Sequence, residues 1–208
     1  MSDLGRVSDA IATYKKAIEL RPDHAAAHSR LGAAYDTVGH PELAIAEFEA
    51  AVRLEPYHPL NWANLGQACL RSGRWADARE AFAEAYRLAP SIERVAHGLA
   101  DALHRLGREK EAAEILLSVP AQSDTPEDRY DILNLLGNVY RRLRRWDEAV
   151  ASFKQAIPLL PDELGAHVNL FHAYMGGDRR AAARAQVEAV RRLDPKKASQ
   201  LAANLDNS

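Results

Sequence analysis

Apolar residues along this chain recur at i, i+3, i+4 and i+7 in paired runs, the members of a pair parted by glycine and the pair closed by proline. The pattern predicts two helices per period. Gly5, Gly39, Gly73 and Gly107 stand 34 residues apart, as do Pro22, Pro56 and Pro90, and Pro161 and Pro195 repeat the interval further on. Each period is therefore a helical hairpin. The stretch from Pro59 to Pro90 carries the fullest set of markers: Trp62, Leu65 and Gly66 on a first helix, Gly73 in the turn, then Ala78, Phe82, Ala85 and the closing Pro90.

These residues resemble the tetratricopeptide repeat. That family places a large residue at the fourth position of each repeat, Leu-Gly at the seventh and eighth and an aromatic at the eleventh. Ala, aromatic, Ala and Pro follow at the twentieth, twenty-fourth, twenty-seventh and thirty-second. Small residues at the eighth and twentieth positions let two helix backbones approach, and the aromatic at the twenty-fourth fills the gap toward the neighbouring repeat. Residues 25–58 match through His28, Leu31, Gly32, Tyr35, Ala44, Phe48, Ala51 and Pro56, and residues 130–163 through Leu133, Leu136, Gly137, Tyr140, Ala149, Phe153, Ala156 and Pro161. Residues 93–126 are a weaker copy, with Ala100, Leu103 and Leu116 at marked positions. Residues 164–197 keep His167, Leu170, Tyr174, Ala183 and Pro195 but set Phe171 where glycine is expected, a bulk that opposes close helix packing.

The resemblance implies an all-α fold, a right-handed superhelical solenoid of antiparallel helix hairpins in which each repeat packs only on its neighbours. The expected organisation is one continuous solenoid. Residues 1–24 form a half repeat holding the second helix only, followed by repeats at 25–58 and 59–92. A degenerate repeat with an insertion covers 93–129, two more repeats cover 130–163 and 164–195, and a cap helix and tail occupy 196–208. The cap helix follows from Ala198, Leu201, Ala202 and Leu205 on one face. In the insertion, Pro120 to Asp128, Thr125 is the expected N-cap of a new helix, with Pro126 in its first turn and Asp128 three residues on. Pro158 should shorten or bend the helix before it. Both places are expected to alter the superhelix locally.

The half repeat leaves an open end, on which Ile11, Tyr14 and Ile18 should present an apolar face. Three readings fit it: a fragment of a longer chain, a self-association surface, or a tolerated frayed end.

Composition narrows function mostly by exclusion. With 208 residues, 47% of them hydrophobic, and a net charge of -2, the chain reads as a folded, soluble protein without the basic footprint of a nucleic-acid binder. No apolar run approaches the roughly 18 residues of a membrane span, and Met1 to Asp9 has no signal-peptide character. A cytoplasmic location is expected. Cys69, the only cysteine, cannot form an intrachain disulfide and reads as a small buried hydrophobe. There is no phosphate-binding glycine loop, nucleophile elbow or HExxH pair, so neither catalysis nor a cofactor is expected.

The resemblance also implies where a ligand lies, because the concave wall of such solenoids is built from the second, fifth, ninth, twelfth and thirteenth positions of the first helices. In the first half of the chain these are mostly small or apolar: Ala26, Ser29, Ala33, Asp36, Leu60, Ala63, Gln67 and Leu70, with Arg71. In the second half they are Arg94, His97, Asp101, His104, Arg105, Asn134, Asn138, Arg141, Arg142 and His172, a polar wall richer in basic than acidic groups. Arginine and asparagine grip carboxylates and backbone amides, so the expected partner is a protein or peptide, with an acidic or C-terminal segment as the natural ligand. Ordinary solvated helix residues would read the same way.

Asn138 and Asn169 also occupy the asparagine positions of the carboxylate clamp that some family members use on chaperone tails. The clamp's lysine position holds Asn134, however, and no third repeat supplies the remaining pair. The asparagine ladder of the sugar-transferase members is matched only by Asn64 and Asn169. His97, Asp101 and His104 share a helix face without the converging geometry of a metal site. The run Arg141, Arg142, Arg144 and Arg145 beside Trp146 reads as a solvated helix end complementing the dipole rather than a phosphate site. The expected function is a non-catalytic interaction scaffold. The alternatives are a substrate-recruiting segment of a larger glycosyl- or sulfotransferase-type enzyme, and a self-assembling repeat protein.

Overall fold

The computed structural model describes residues 3–120 and 125–206. Residues 121–124 of the expected insertion, and the chain ends, lie outside the described residues. The described residues form twelve helices and fall into two compact units, residues 1–106 and 107–208. The first unit contains α1 (Asp3–Leu20), α2 (Ala25–Thr37), α3 (Pro41–Leu54), α4 (Pro59–Arg71), α5 (Trp75–Leu88) and α6 (Glu93–Arg105). The second contains α7 (Glu109–Ser118), α8 (Pro126–Arg142), α9 (Trp146–Ala156), α10 (Leu164–Gly176), α11 (Arg180–Leu193) and α12 (Pro195–Asp206). In each unit a helix packs on the one before and the one after it.

Aromatic rings seated against glycines hold the hairpins together. A Cβ added at Gly32, Gly66 or Gly137 would come within 2.9, 2.7 or 2.5 Å of the ring of Phe48, Phe82 or Phe153, so only a bare backbone admits the ring. The fifth hairpin reverses the arrangement. Phe171 at the glycine position is fully buried, and Val187 takes the position where three of the other hairpins carry Phe48, Phe82 and Phe153. The ring has moved from α11 to α10 and a smaller valine faces it, so Phe171 is buried without a glycine opposite, which corrects the expectation that it opposes close packing.

Turn geometry follows the period further than glycine does. Gly39, Gly73 and Gly107 adopt φ of 78°, 73° and 73°, and the equivalent turns of the later hairpins place Arg144 (φ 59°) and Asp178 (φ 56°) in the same left-handed conformation. The residue after the turn closes the helix by donating its N–H to the carbonyl five residues back: His40 to Tyr35 at 2.9 Å, Arg145 to Tyr140 at 2.9 Å and Arg179 to Tyr174 at 2.8 Å. Left-handed backbone costs a non-glycine residue about 1–2 kcal/mol. Arg144→Gly and Asp178→Gly are therefore each expected to raise stability by about 1 kcal/mol or less, after the extra chain entropy of glycine is subtracted. A lower denaturation midpoint in either variant would contradict this.

Gly5, which the period sets in a turn, lies inside α1 instead. Ile11, Tyr14 and Ile18 are half-buried, because α1 packs on α2, while Leu20 is exposed. Thr125 caps α8 as expected: its Oγ1 accepts the Asp128 N–H at 3.1 Å and donates to the Asp128 carboxylate at 2.8 Å. With Pro126 in the first turn, α8 runs 17 residues where α2, α4, α6 and α10 run 13. Pro158 ends α9 at Ala156, leaving it 11 residues long against 14 for α3 and α5. The stretch after this early stop packs Ile157, Leu159 and Leu160 on Tyr130, Leu133 and Ala166, and the Tyr130 hydroxyl accepts the Ala166 N–H at 3.1 Å.

A further periodic contact ties successive hairpins. The ring N–H at the fourth position donates to the carbonyl of the proline six residues earlier: Trp62 Nε1 to Pro56 at 2.7 Å, His28 Nε2 to Pro22 at 3.1 Å and His167 Nε2 to Pro161 at 3.0 Å. The other ring nitrogen of His28 faces the Glu47 carboxylate at 2.7 Å, and that of His167 accepts from Gln186 at 2.9 Å. Both histidines are thus structural. At the chain's end, α12 packs on α11 through Ala198, Leu201 and Leu205, all buried, as the cap reading requires. Cys69 is fully buried, and burial pushes its thiol up to about 11. The thiolate is therefore scarce near neutral pH, in keeping with a packing role.

Candidate partner-binding surface

In the first unit, α6 carries the polar positions. Arg94 and Arg105 are exposed, and His97, Asp101 and His104 are half-buried. Asp101 accepts from Arg105 Nε at 3.1 Å, one helical turn apart, and the Arg105 guanidinium lies 5.4 Å from the centre of the Trp75 ring. Arg105 is thus held in place, with its charge partly answered by Asp101. No group of three or more His, Cys, Asp or Glu side chains is arranged to hold a metal ion among the described residues.

Elsewhere in this unit the corresponding wall is small or internally paired. Asn64 donates to Ser29 at 3.3 Å, and Arg71 grips Asp36 through both Nε, at 3.0 Å, and Nη2. A shallow apolar cleft between α1 and α2 is lined by Val7, Ala10, Tyr14, Ala33 and Ala34, with Arg30 at its rim.

The second unit gathers the remaining positions on α8 and α10. Asn134, Asn138 and Arg141 fall at i, i+4 and i+7 on α8, and Asn169 and His172 at i and i+3 on α10, all half-buried. Asn169 donates to Asn134 at 3.1 Å, the same 35-residue step as the Asn64–Ser29 pair. That contact uses one donor of Asn169 and one acceptor of Asn134 and leaves the rest of each amide available. Arg142 is drawn away, its Nε donating at 3.2 Å to Glu109, a carboxylate only 9% exposed.

Arg141 differs from every other arginine on these walls. Its Nε is buried without an acceptor among the described residues, and burial, followed by the charge of Arg142, pulls the guanidinium below its ordinary value. His172 is its neighbour in charge. Burial, then Arg141 and then Lys197 of α12 hold its imidazole below the usual histidine range. A histidine depressed in the fold binds its proton more readily when unfolded. The stability it contributes is complete above its unfolded value, near 6.5, and declines as pH falls below that.

The arginine run resolves into separate roles. Arg144 is the turn residue, while Arg145 pairs with Glu148 at 2.8 Å and lies 4.6 Å over the Tyr140 ring. Sequence reasoning did not single out Lys197, which lies on α12 and not at one of the first-helix wall positions.

Stacked glycine-turn hairpins with an aromatic in the gap between helices, and polar side chains gathered on first-helix faces, define a tetratricopeptide repeat protein. The family profile described as cilia and flagella-associated protein 70 C-terminal domain matches residues 2–205, and the chain belongs to that family. Among curated proteins, none matches it. Solved structures of similar fold include the anaphase-promoting-complex assembly Cut9–Hcn1, with a TM-score of 0.76 at 18% identity over 97% of this chain. This chain spans only 40% of that one. YrrB, described as a tetratricopeptide protein with an unusual peptide-binding site, gives a TM-score of 0.73 at 20% identity, over 94% of this chain and 98% of its own. The pilF protein of Pseudomonas aeruginosa gives 0.76 at 19% identity, over 96% and 90%. No helix among the described residues is long and apolar enough to cross a membrane.

Proposed function

We propose that this chain is a non-catalytic interaction scaffold that holds a peptide or protein partner against the exposed faces of its first helices. One observation carries the reading. Polar side chains are concentrated at these positions on α6 of the first unit and on α8 and α10 of the second, whereas on α2 and α4 they are mostly small, apolar or internally paired. Asparagine amides suit the backbone of an extended segment and arginine suits its carboxylates, so an acidic or C-terminal segment is the favoured ligand. The description of YrrB lends support, since a fold of this kind binds peptide there. Nucleic acid is disfavoured by the arginine run, in which Arg142 serves Glu109, Arg144 the turn, and Arg145 Glu148 and Tyr140. The cytoplasm is the proposed location. A ciliary or flagellar one is the second reading, favoured by the name of the family.

The test is a partner recovered by affinity capture and then re-assayed as a purified component. Arg105→Ala, the pair Asn138→Ala with Arg141→Ala, and all three together are expected to weaken binding progressively, the triple variant by about tenfold or more. Unchanged affinity in a folded triple variant would remove this surface from the function.

A further inference from the structure

In three hairpins the second helix presents alanine, an aromatic ring and alanine to its own first helix, and all three are closed off. Ala44, Phe48 and Ala51 of α3 are buried, as are their equivalents on α5 and α9. On α1 the equivalents, Ala10, Tyr14 and Ala17, are only half-buried. One side of this helix is covered by α2, and among the described residues no first helix covers the other. Val7, Ala10 and Tyr14 form, with Ala33 and Ala34 of α2, the apolar wall of an open cleft. Leu20, on the last turn of α1, is 72% exposed. The second unit holds the complementary element. Counted from Pro195, its first residue, α12 carries Ala198, Leu201, Ala202 and Leu205 at the fourth, seventh, eighth and eleventh positions, the packing register of a first helix. Three of these are buried against α11. Ala202 stands where other first helices carry the glycine that receives a ring, and it is half-open. With Val187 and Leu205 it lines a second cleft, rimmed by Arg184, Glu188 and Arg191.

We propose that this chain associates head to tail with a second copy of itself, α12 of one copy packing antiparallel on α1 of the next as its first helix. Shape and charge both select this occupant. The Tyr14 ring comes to rest on the other copy's Ala202, a ring against a small residue, as Phe48, Phe82 and Phe153 rest on Gly32, Gly66 and Gly137. The register is that of the existing hairpins, where the fourth position lies beside the twenty-third: His28 faces Glu47 at 2.7 Å and His167 faces Gln186 at 2.9 Å. In this register Glu19, at the twenty-ninth position, falls beside the first turn of the other copy's α12. That turn carries Lys196, exposed, and Lys197, half-buried, and the positive end of the helix dipole adds to their attraction for the carboxylate. The contact joins two different surfaces, so each pair keeps one seat of each kind open and association runs on into open chains. It leaves the polar walls of α6, α8 and α10 out of the interface and is independent of the peptide reading.

Sedimentation velocity of the purified full chain over a range of concentrations tests this. The average mass is expected to climb past that of a dimer as concentration rises. Tyr14→Asp blocks the α1 seat and Ala202→Glu the α12 seat, and because both side chains are half-open neither change closes a charge into the core. Each variant alone is expected to associate about tenfold or more weakly. Mixed in equal amounts, the two supply one intact seat of each kind and are expected to form a heterodimer and nothing larger. Glu19→Lys should weaken association about two- to fivefold, and adding Lys196→Glu to the same chain should restore it. If Tyr14→Asp lowers helical circular dichroism, Ala10→Glu blocks the same seat in its place. A chain still monomeric at about 1 mM would overturn the proposal, as would a mixture of the two variants no heavier than its components. Association that stops at a dimer and survives Ala202→Glu would also overturn it, and would identify a symmetric pairing instead.

Discussion

Phe82→Ala is expected to cost about 3–5 kcal/mol, with a large fall in the denaturation midpoint. The ring is 2% exposed and lies between two glycines, Gly66 of α4 and Gly98 of α6. A Cβ at Gly66 would meet it at 2.7 Å, and one at Gly98 closer still. Gly98→Ala therefore sets two effects against each other. The new methyl gains about 1 kcal/mol of helix propensity and incurs about 1–3 kcal/mol of overpacking against a ring that has nowhere to go. A net loss is expected. In the Phe82→Ala background the obstruction is gone and the same substitution should become neutral or stabilising, so the double-mutant cycle should give a coupling of about 1–3 kcal/mol. Additive effects would mean that the ring and the glycine backbone do not press on one another.

The second large effect is expected at the cap. Leu201 is 1% exposed between α12 and α11, and Leu201→Ala removes buried methyls worth about 2–5 kcal/mol. Stacked repeats open from their ends, so the loss should appear as local unfolding of α12 before anything else. Amide exchange in α12 is expected to accelerate about thirtyfold or more, while the amides of α8 hardly change. The same variant loosens Lys197 from its place near His172, so the imidazole midpoint should move up toward its ordinary value. Equal acceleration in α8 and α12 would show that the cap is not a separable element.

How far the sequence could be read depends on what each position does. The helices, their pairing and the order of hairpins follow from a 34-residue period in which glycine, proline and aromatics mark backbone geometry directly. The N-cap at Thr125 and the early stop before Pro158 were equally legible, because both act through the local backbone. The latch from Trp62, His28 and His167 to the preceding proline carbonyls had a signal as well, a ring N–H six residues after a proline, which alignment by residue type passes over. The turns at Arg144 and Asp178 were hidden, since a period traced through glycine ends where other residues adopt the same φ.

Side chains on the candidate surface were located by the period but not by their state. Arg141 and Arg142 are adjacent and alike in sequence. One buries its Nε without an acceptor and the other reaches the buried Glu109, a difference set by which helix packs beside each. Lys197 enters from the cap helix and not from a first-helix wall, and the bearing of its charge on His172 had no sequence signal.

The sequence by itself thus determined the repeat, the helix hairpins and the faces on which polar groups lie, because backbone sterics and burial of apolar surface act at short range and recur with the period. Only the tertiary structure decided which of those polar groups are already satisfied and which are not. Charge pairing and desolvation depend on neighbours brought from other helices, and so it is the packing of α8, α10 and α12 that sets Arg141, His172 and Lys197 apart from the other basic groups.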